Sequence, residues 1–173
     1  MEALTAEDGH EDPEMRALIA GILRHHPALR GLIYDLGPAL VEADAALTRE
    51  LIELGRGHVV TMTIAPEKPG ITGDDGVNAA LIEGGALPSF GHTDSEAAPV
   101  RAALADAAAR LDARAEAGLP MRCDRPTATH LFNGMRPMHH RAPGPVPEFL
   151  AAAARGRCIV EMIGDGVHLN PAI

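Results

Sequence analysis

The sequence predicts an α/β fold: a parallel sheet with helices packed on it. Two observations carry this expectation. Five short apolar runs alternate strictly with five stretches of helical periodicity, and the runs are nearly continuously apolar, as strands covered by βα crossovers are. The 173 residues amount to one domain, expected over 13–173 after an acidic, frayed start over 1–12.

Each element is justified by local signals. Asp12-Pro13 offers an N-cap and a proline at the first helical position, and Met15, Leu18, Ile19, Ile22 and Leu23 repeat at helical spacing until Pro27. Gly31 to Leu36 reads as a buried strand. Asp44 caps a second helix carrying Leu47, Leu51 and Leu54, which Gly55 ends. His58 to Ile64 is a β-rich run, and a short helix from Val77 to Glu83 stops at Gly84-Gly85. Ala86 to Phe90 is the next strand. Asp94 or Ser95 can cap a long helix beginning near Pro99, with Val100, Leu104, Leu111 and Ala115 on one face until Gly118. A strand from Thr127 to Phe132, a helix from Pro147 to Arg155 and a strand from Arg157 to Ile163 complete the alternation.

Composition narrows the function classes. At 46% hydrophobic and 23% charged residues the chain can bury a core, but with 2% aromatics that core must be Ala, Leu, Ile and Val. A base-stacking platform for nucleic acid is excluded on the same ground. Fifteen basic against 24 acidic residues give a net charge of -9, which repels nucleic acid and anionic membranes. Cys123 and Cys158 form neither a metal-type pair motif nor a disulfide framework. With no bilayer-length apolar run and no basic-apolar leader at the N-terminus, a cytoplasmic location is expected.

In parallel sheets chemistry sits beyond the carboxyl ends of the strands. The segments there are Ala65-Pro66-Glu67, Gly91-His92-Thr93-Asp94, His130-Leu131-Phe132-Asn133 and Asp165-Gly166-Val167-His168. Imidazole is the commonest side-chain ligand for a divalent metal, and adjacent strands lie roughly 5 Å apart, so His92 and His130 can share one ion. A lone strand-end histidine is more often a hydrogen-bonded structural residue, and Asp165-Gly166 alone explains a turn. His168 is expected over the same mouth. The Met135 to Pro145 stretch, with Arg136, Arg141, His139 and His140, is a proline-rich loop suited to an anion such as a sugar phosphate, or simply a basic surface loop.

The run ATHLFNGMRPMHHRAPGPV, with TIAPE and GHTDSEA upstream and EMIGDGVHLNPAI downstream, closely resembles the N-acetylglucosamine-6-phosphate deacetylases of the amidohydrolase superfamily, from about Arg30 to Ile173. The resemblance implies part of a metal-dependent (β/α)8 TIM barrel, about five βα units of it. It implies hydrolysis of the N-acetyl group of N-acetylglucosamine 6-phosphate to glucosamine 6-phosphate and acetate, with a divalent metal ion, zinc or iron foremost, as cofactor. It makes His92 and His130 metal ligands, and Asn133, Gly134, Arg141 and His168 substrate-binding residues, Arg141 toward the phosphate. The implied partner is a small-molecule amino-sugar phosphate.

The resemblance also has departures. In the family a His-Leu-Glu-Gly-Pro motif supplies a metal-binding glutamate, and here Ile33-Tyr34-Asp35-Leu36-Gly37-Pro38 puts Leu36 in its place. Asp35 is one residue away, which on a strand turns its side chain to the opposite face. Glu67 belongs to the Ala-Pro-Glu motif, where a supporting or structural role is expected. The family's acid/base aspartate falls beyond Ile173, which makes a catalytically incompetent, sugar-phosphate-binding remnant the alternative reading. A barrel slice leaves open strand edges and an exposed apolar inner face, so a homo-oligomer or a complementing chain is expected.

Overall fold

The computed structural model describes residues 42–170 and residue 172. The expected frayed start, the helix from Pro13 and the strand holding Asp35 lie outside the described residues. The described elements form a βα alternation: α1 (Ala45–Leu54), β1 (Thr61–Ile64), α2 (Val77–Glu83), β2 (Leu87–Phe90), α3 (Ala97–Glu116), β3 (Thr127–Ala128), α4 (Val146–Ala154) and β4 (Ile159–Val160).

The helix signals mostly act as read. Asp44 Oδ1 accepts from the backbone N–H of Ala46 at 2.8 Å and of Leu47 at 3.0 Å, and Gly55 closes α1. Gly84 closes α2, with Gly85 at φ +81° turning the chain back toward β2. The start of α3 differs from expectation. Its N-cap is Glu96, rather than Asp94 or Ser95, and no side chain caps it. Asp94 is drawn instead to Arg136, and the Ser95 hydroxyl donates to the Glu96 carbonyl at 2.8 Å. The apolar stripe of α3 runs through Val100, Ala103, Leu104, Ala107 and Leu111, while Ala115 is exposed.

The four strands are parallel in the order β1-β2-β3-β4. Each crossover steps to the neighbouring strand without reversing, and consecutive helices pack on one another, so the helices form a single layer. The core lies between this layer and the sheet. Phe90 and Phe149, both fully buried, stack there with ring centroids 6.5 Å apart.

All four described strands are shorter than the apolar runs that predicted them, β3 and β4 most of all. His130 and Phe132 take positive φ, 25° and 77°, which bends the chain out of β3 after Thr129. Only isolated ladder bonds continue, Thr129 N to Phe90 O at 2.9 Å and Leu131 N to Glu161 O at 2.8 Å. Left-handed backbone at residues other than glycine leaves no mark in a hydrophobic pattern.

The sheet face away from Phe90 is not the apolar surface expected. Thr63, Ser89 and Thr127 stand in register across three strands, and their hydroxyls join with Thr129: Ser89 Oγ lies 2.5 Å from Thr129 Oγ1 and 2.6 Å from Thr127 Oγ1, and Thr63 Oγ1 lies 3.1 Å from Thr129 Oγ1. Buried hydroxyls that satisfy one another avoid the desolvation cost of unpaired polar groups. Among the described strands β1 and β4 are edges, with Val60 and Ile159 exposed beside them. No described helix is long and apolar enough to cross a membrane.

Candidate metal and sugar-phosphate site

β2 and β3 approach so closely that a Cβ on Gly91 would stand 2.7 Å from Thr129 Cβ. Past Gly91 the chain turns at His92, whose φ is +47°. A parallel bridge between Thr93 and Met135 then ties this turn to the loop after β3: Thr93 N donates to Gly134 O at 2.9 Å, and Arg136 N donates to Thr93 O at 3.0 Å. Gly134, at φ +60°, lies against the His92 ring, and a Cβ there would be 2.9 Å from His92 Nδ1.

The consequence is a pair of facing imidazoles. His92 Nε2 and His130 Nε2 are 2.8 Å apart, with ring centroids at 4.6 Å and an interplanar angle of 74°. His130 is buried and its Nδ1 has no hydrogen-bond partner, while His92 reaches the surface. An open cleft of about 470 Å³ adjoins them, lined by Glu67, Lys68, His92, Gly134 and Arg136 among others, within the size range of small-ligand sites.

Two nitrogens on one tetrahedral ion sit about 3.3 Å apart at ordinary zinc–nitrogen distances, so the pair would have to open by roughly half an ångström to share one. The donor chemistry fits. The donor number is one short, since catalytic zinc takes three protein ligands and among the described residues no group of three or more His, Cys, Asp or Glu is arranged around a metal position.

No protein-family profile matches the chain. Similar proteins and structures do. It is 33% identical over 121 residues to the N-acetylglucosamine-6-phosphate deacetylase of Vibrio furnissii, an alignment spanning 70% of this chain and 25% of the relative. The deacetylase of Bacillus subtilis is 30% identical over 131 residues, spanning 75% of this chain and 27% of the relative. A solved N-acetyl-D-glucosamine-6-phosphate deacetylase from Mycobacterium smegmatis superposes with a TM-score of 0.59 at 28% identity, over 91% of this chain and 40% of that one. The chain belongs to the N-acetylglucosamine-6-phosphate deacetylase family. It spans about a quarter of the length of the curated relatives it matches. A mutant of the Mycobacterium smegmatis enzyme has been solved in complex with N-acetyl-D-glucosamine-6-phosphate.

The structure brings some of the residues expected from the deacetylase family together and separates others. His92, His130 and Gly134 meet. Asn133 is local to them, its amide Nδ2 donating to the carbonyls of His130 at 3.3 Å and Leu131 at 3.4 Å. Arg141 is exposed and lies outside the cleft lining, with no carboxylate partner among the described residues. His168 does not reach the cleft. It is held in its own turn, Nδ1 2.7 Å from Asp165 Oδ2, while Asp165 Oδ1 accepts from the N–H groups of Val167 and His168 at 2.9 Å. Those backbone N–H groups, with the imidazole, hold the Asp165 carboxyl down at about 2.

Arg136 answers the surface-loop alternative for its own side chain. Its guanidinium is committed to Asp94, at 2.8 and 3.0 Å, and to Glu96, and the hydrogen bond from Arg136 keeps the Asp94 carboxyl below its usual value. Of the two arginines in the loop only Arg141 is left for an anion. The nearby acidic pair in Asp94-Ser95-Glu96 was the sequence signal for this. Lys68 and Thr93, which also line the cleft, were marked only by adjacency to the Ala-Pro-Glu and Gly-His motifs.

Proposed function

We propose that the chain serves in metal-dependent hydrolysis of the N-acetyl group of N-acetylglucosamine 6-phosphate, releasing glucosamine 6-phosphate and acetate. The observation that carries this reading is the facing of His92 Nε2 and His130 Nε2 at 2.8 Å beside a cleft, in a chain of this family. When bound, a divalent ion such as zinc or iron supplies Lewis-acid chemistry, lowering the pKa of water and polarising a carbonyl.

The chain's own residues bind and orient. His92 and His130 hold the ion through Nε2. Arg141, without a carboxylate partner among the described residues, offers a planar guanidinium to the phosphate, a bidentate match in charge and shape. Asn133 and Gly134 border the sugar, the glycine also letting the His92 ring pack directly on the backbone. His168, assigned to the substrate by the family resemblance alone, stands apart from the cleft, its Nδ1 2.7 Å from Asp165 Oδ2. Among the described residues no third metal ligand stands at the pair.

A second reading is favoured by the donor set of two: binding of the sugar phosphate without turnover. Incubating the full chain with zinc and N-acetylglucosamine 6-phosphate and assaying acetate separates them. Acetate release abolished by His92→Ala with His130→Ala supports hydrolysis, and calorimetric binding of glucosamine 6-phosphate without acetate release supports the second reading. Release that survives the double substitution overturns the first.

A further inference from the structure

We infer that Glu67 is a positioning residue, whose carboxylate clamps the turn that aims the His92 imidazole at His130. Its functional meaning rests on the deacetylase reading above, while its geometry is independent of it.

Glu67 follows β1, across the cleft from the loop after β3. Its Oε2 accepts from Thr93 Oγ1 at 2.5 Å and its Oε1 accepts from the Asp94 N–H at 3.1 Å. The Thr93 hydroxyl in turn accepts from Ser95 N at 3.0 Å, so its single proton is committed to Glu67. Thr93 and Ser95 are both buried, at 2% and 1% exposure. From the other side the Thr93 backbone is fixed by Gly134 O and Arg136 N.

Between this fixed point and β2 lies one residue beyond Gly91, and it is His92 at φ +47°, a left-handed conformation that residues of its kind hold only where surroundings over-determine it. Released from Glu67, the 92–94 peptides relax toward the ordinary β or right-handed regions, and the imidazole swings off its partner. The clamp requires a carboxylate specifically. Both oxygens accept, so an amide would set its NH2 against one of the two donors.

The test is the nuclear Overhauser contact between the ring protons of His92 and His130 in the full chain without added metal. The contact is expected in the unsubstituted chain, lost in Glu67→Gln and in Thr93→Val, and kept in Glu148→Gln, which breaks the exposed pair with Arg101. Unchanged amide resonances of Phe90 and Ala128 show that each variant is folded. A contact of full strength in folded Glu67→Gln or Thr93→Val overturns the clamp, as does its absence from the unsubstituted chain. No acetate release from the unsubstituted chain, with the contact behaving as expected, removes the deacetylase reading and leaves the clamp standing.

Discussion

A Cβ built on Gly134 would stand 2.9 Å from His92 Nδ1. The glycine therefore sets the position of the imidazole as firmly as any hydrogen bond does, and at φ +60° it also occupies backbone space that costs an L-residue about 1–2 kcal/mol. Gly134→Ala is expected to lower stability by roughly that amount and to displace the His92 ring. The divalent-ion affinity should fall on the order of 10–100-fold, the usual loss when a ligand's support is removed. Urea unfolding and cobalt titration on the same sample check both parts.

Phe90 and Phe149 supply much of the core's aromatic volume, stacking where the sheet meets α4. Phe149→Ala is expected to destabilise by about 3–5 kcal/mol, the cost of a buried cavity of that size. The midpoint of chemical denaturation should drop accordingly. A loss under about 1 kcal/mol would mean that the helical layer does not pack on Phe90 in solution.

The two thiols differ in environment. Burial, with the nearby charge of Glu161, pushes the Cys158 thiol up to about 12, whereas Cys123 is only half-buried. A disulfide reagent at neutral pH should titrate one thiol in the native chain and the second only in denaturant. Rapid reaction of both in the native chain contradicts the burial of Cys158 in the core.

Asp165 gives a pH dependence of defined sign. Its folded-state carboxyl sits at about 2, against an ordinary 3.8, because the backbone N–H groups of His168 and Val167 and the His168 imidazole favour the ionised form. A depressed folded value means that the turn's contribution is complete above about 3.8 and is lost as pH falls toward 2. The carboxyl carbon of Asp165 should titrate near 2, with the Val167 and His168 amide shifts moving at the same midpoint. His168→Ala should raise that midpoint while leaving it below 3.8, since the backbone donors remain.

Much of the alternation was legible because its signals are local. Asp44 caps α1 and Gly84-Gly85 stops α2 by interactions within a few residues of themselves, and such chemistry is written in short stretches of sequence. The two facing histidines were legible as residue types at strand ends, His92 and His130. What placed them Nε2 to Nε2 was not legible: the left-handed turns at both histidines, the packing of the His92 ring on Gly134 and the Thr93–Met135 bridge are long-range consequences of two loops meeting. Composition left the loop of Arg136 open between an anion site and a basic surface, and for Arg136 the pairing with Asp94 and Glu96 decides it. The hydroxyls of Thr63, Ser89 and Thr129 were hidden because β-branched threonine scores as strand whichever face it lines.

The functional reading stands on His92 and His130 together holding a divalent ion. Cobalt titration of the full chain, monitored by visible absorption, addresses this directly. One ion per chain is expected, with nitrogen-ligand bands that disappear in His92→Ala and in His130→Ala. Failure to take up cobalt, or uptake unchanged when both histidines are replaced, would contradict it.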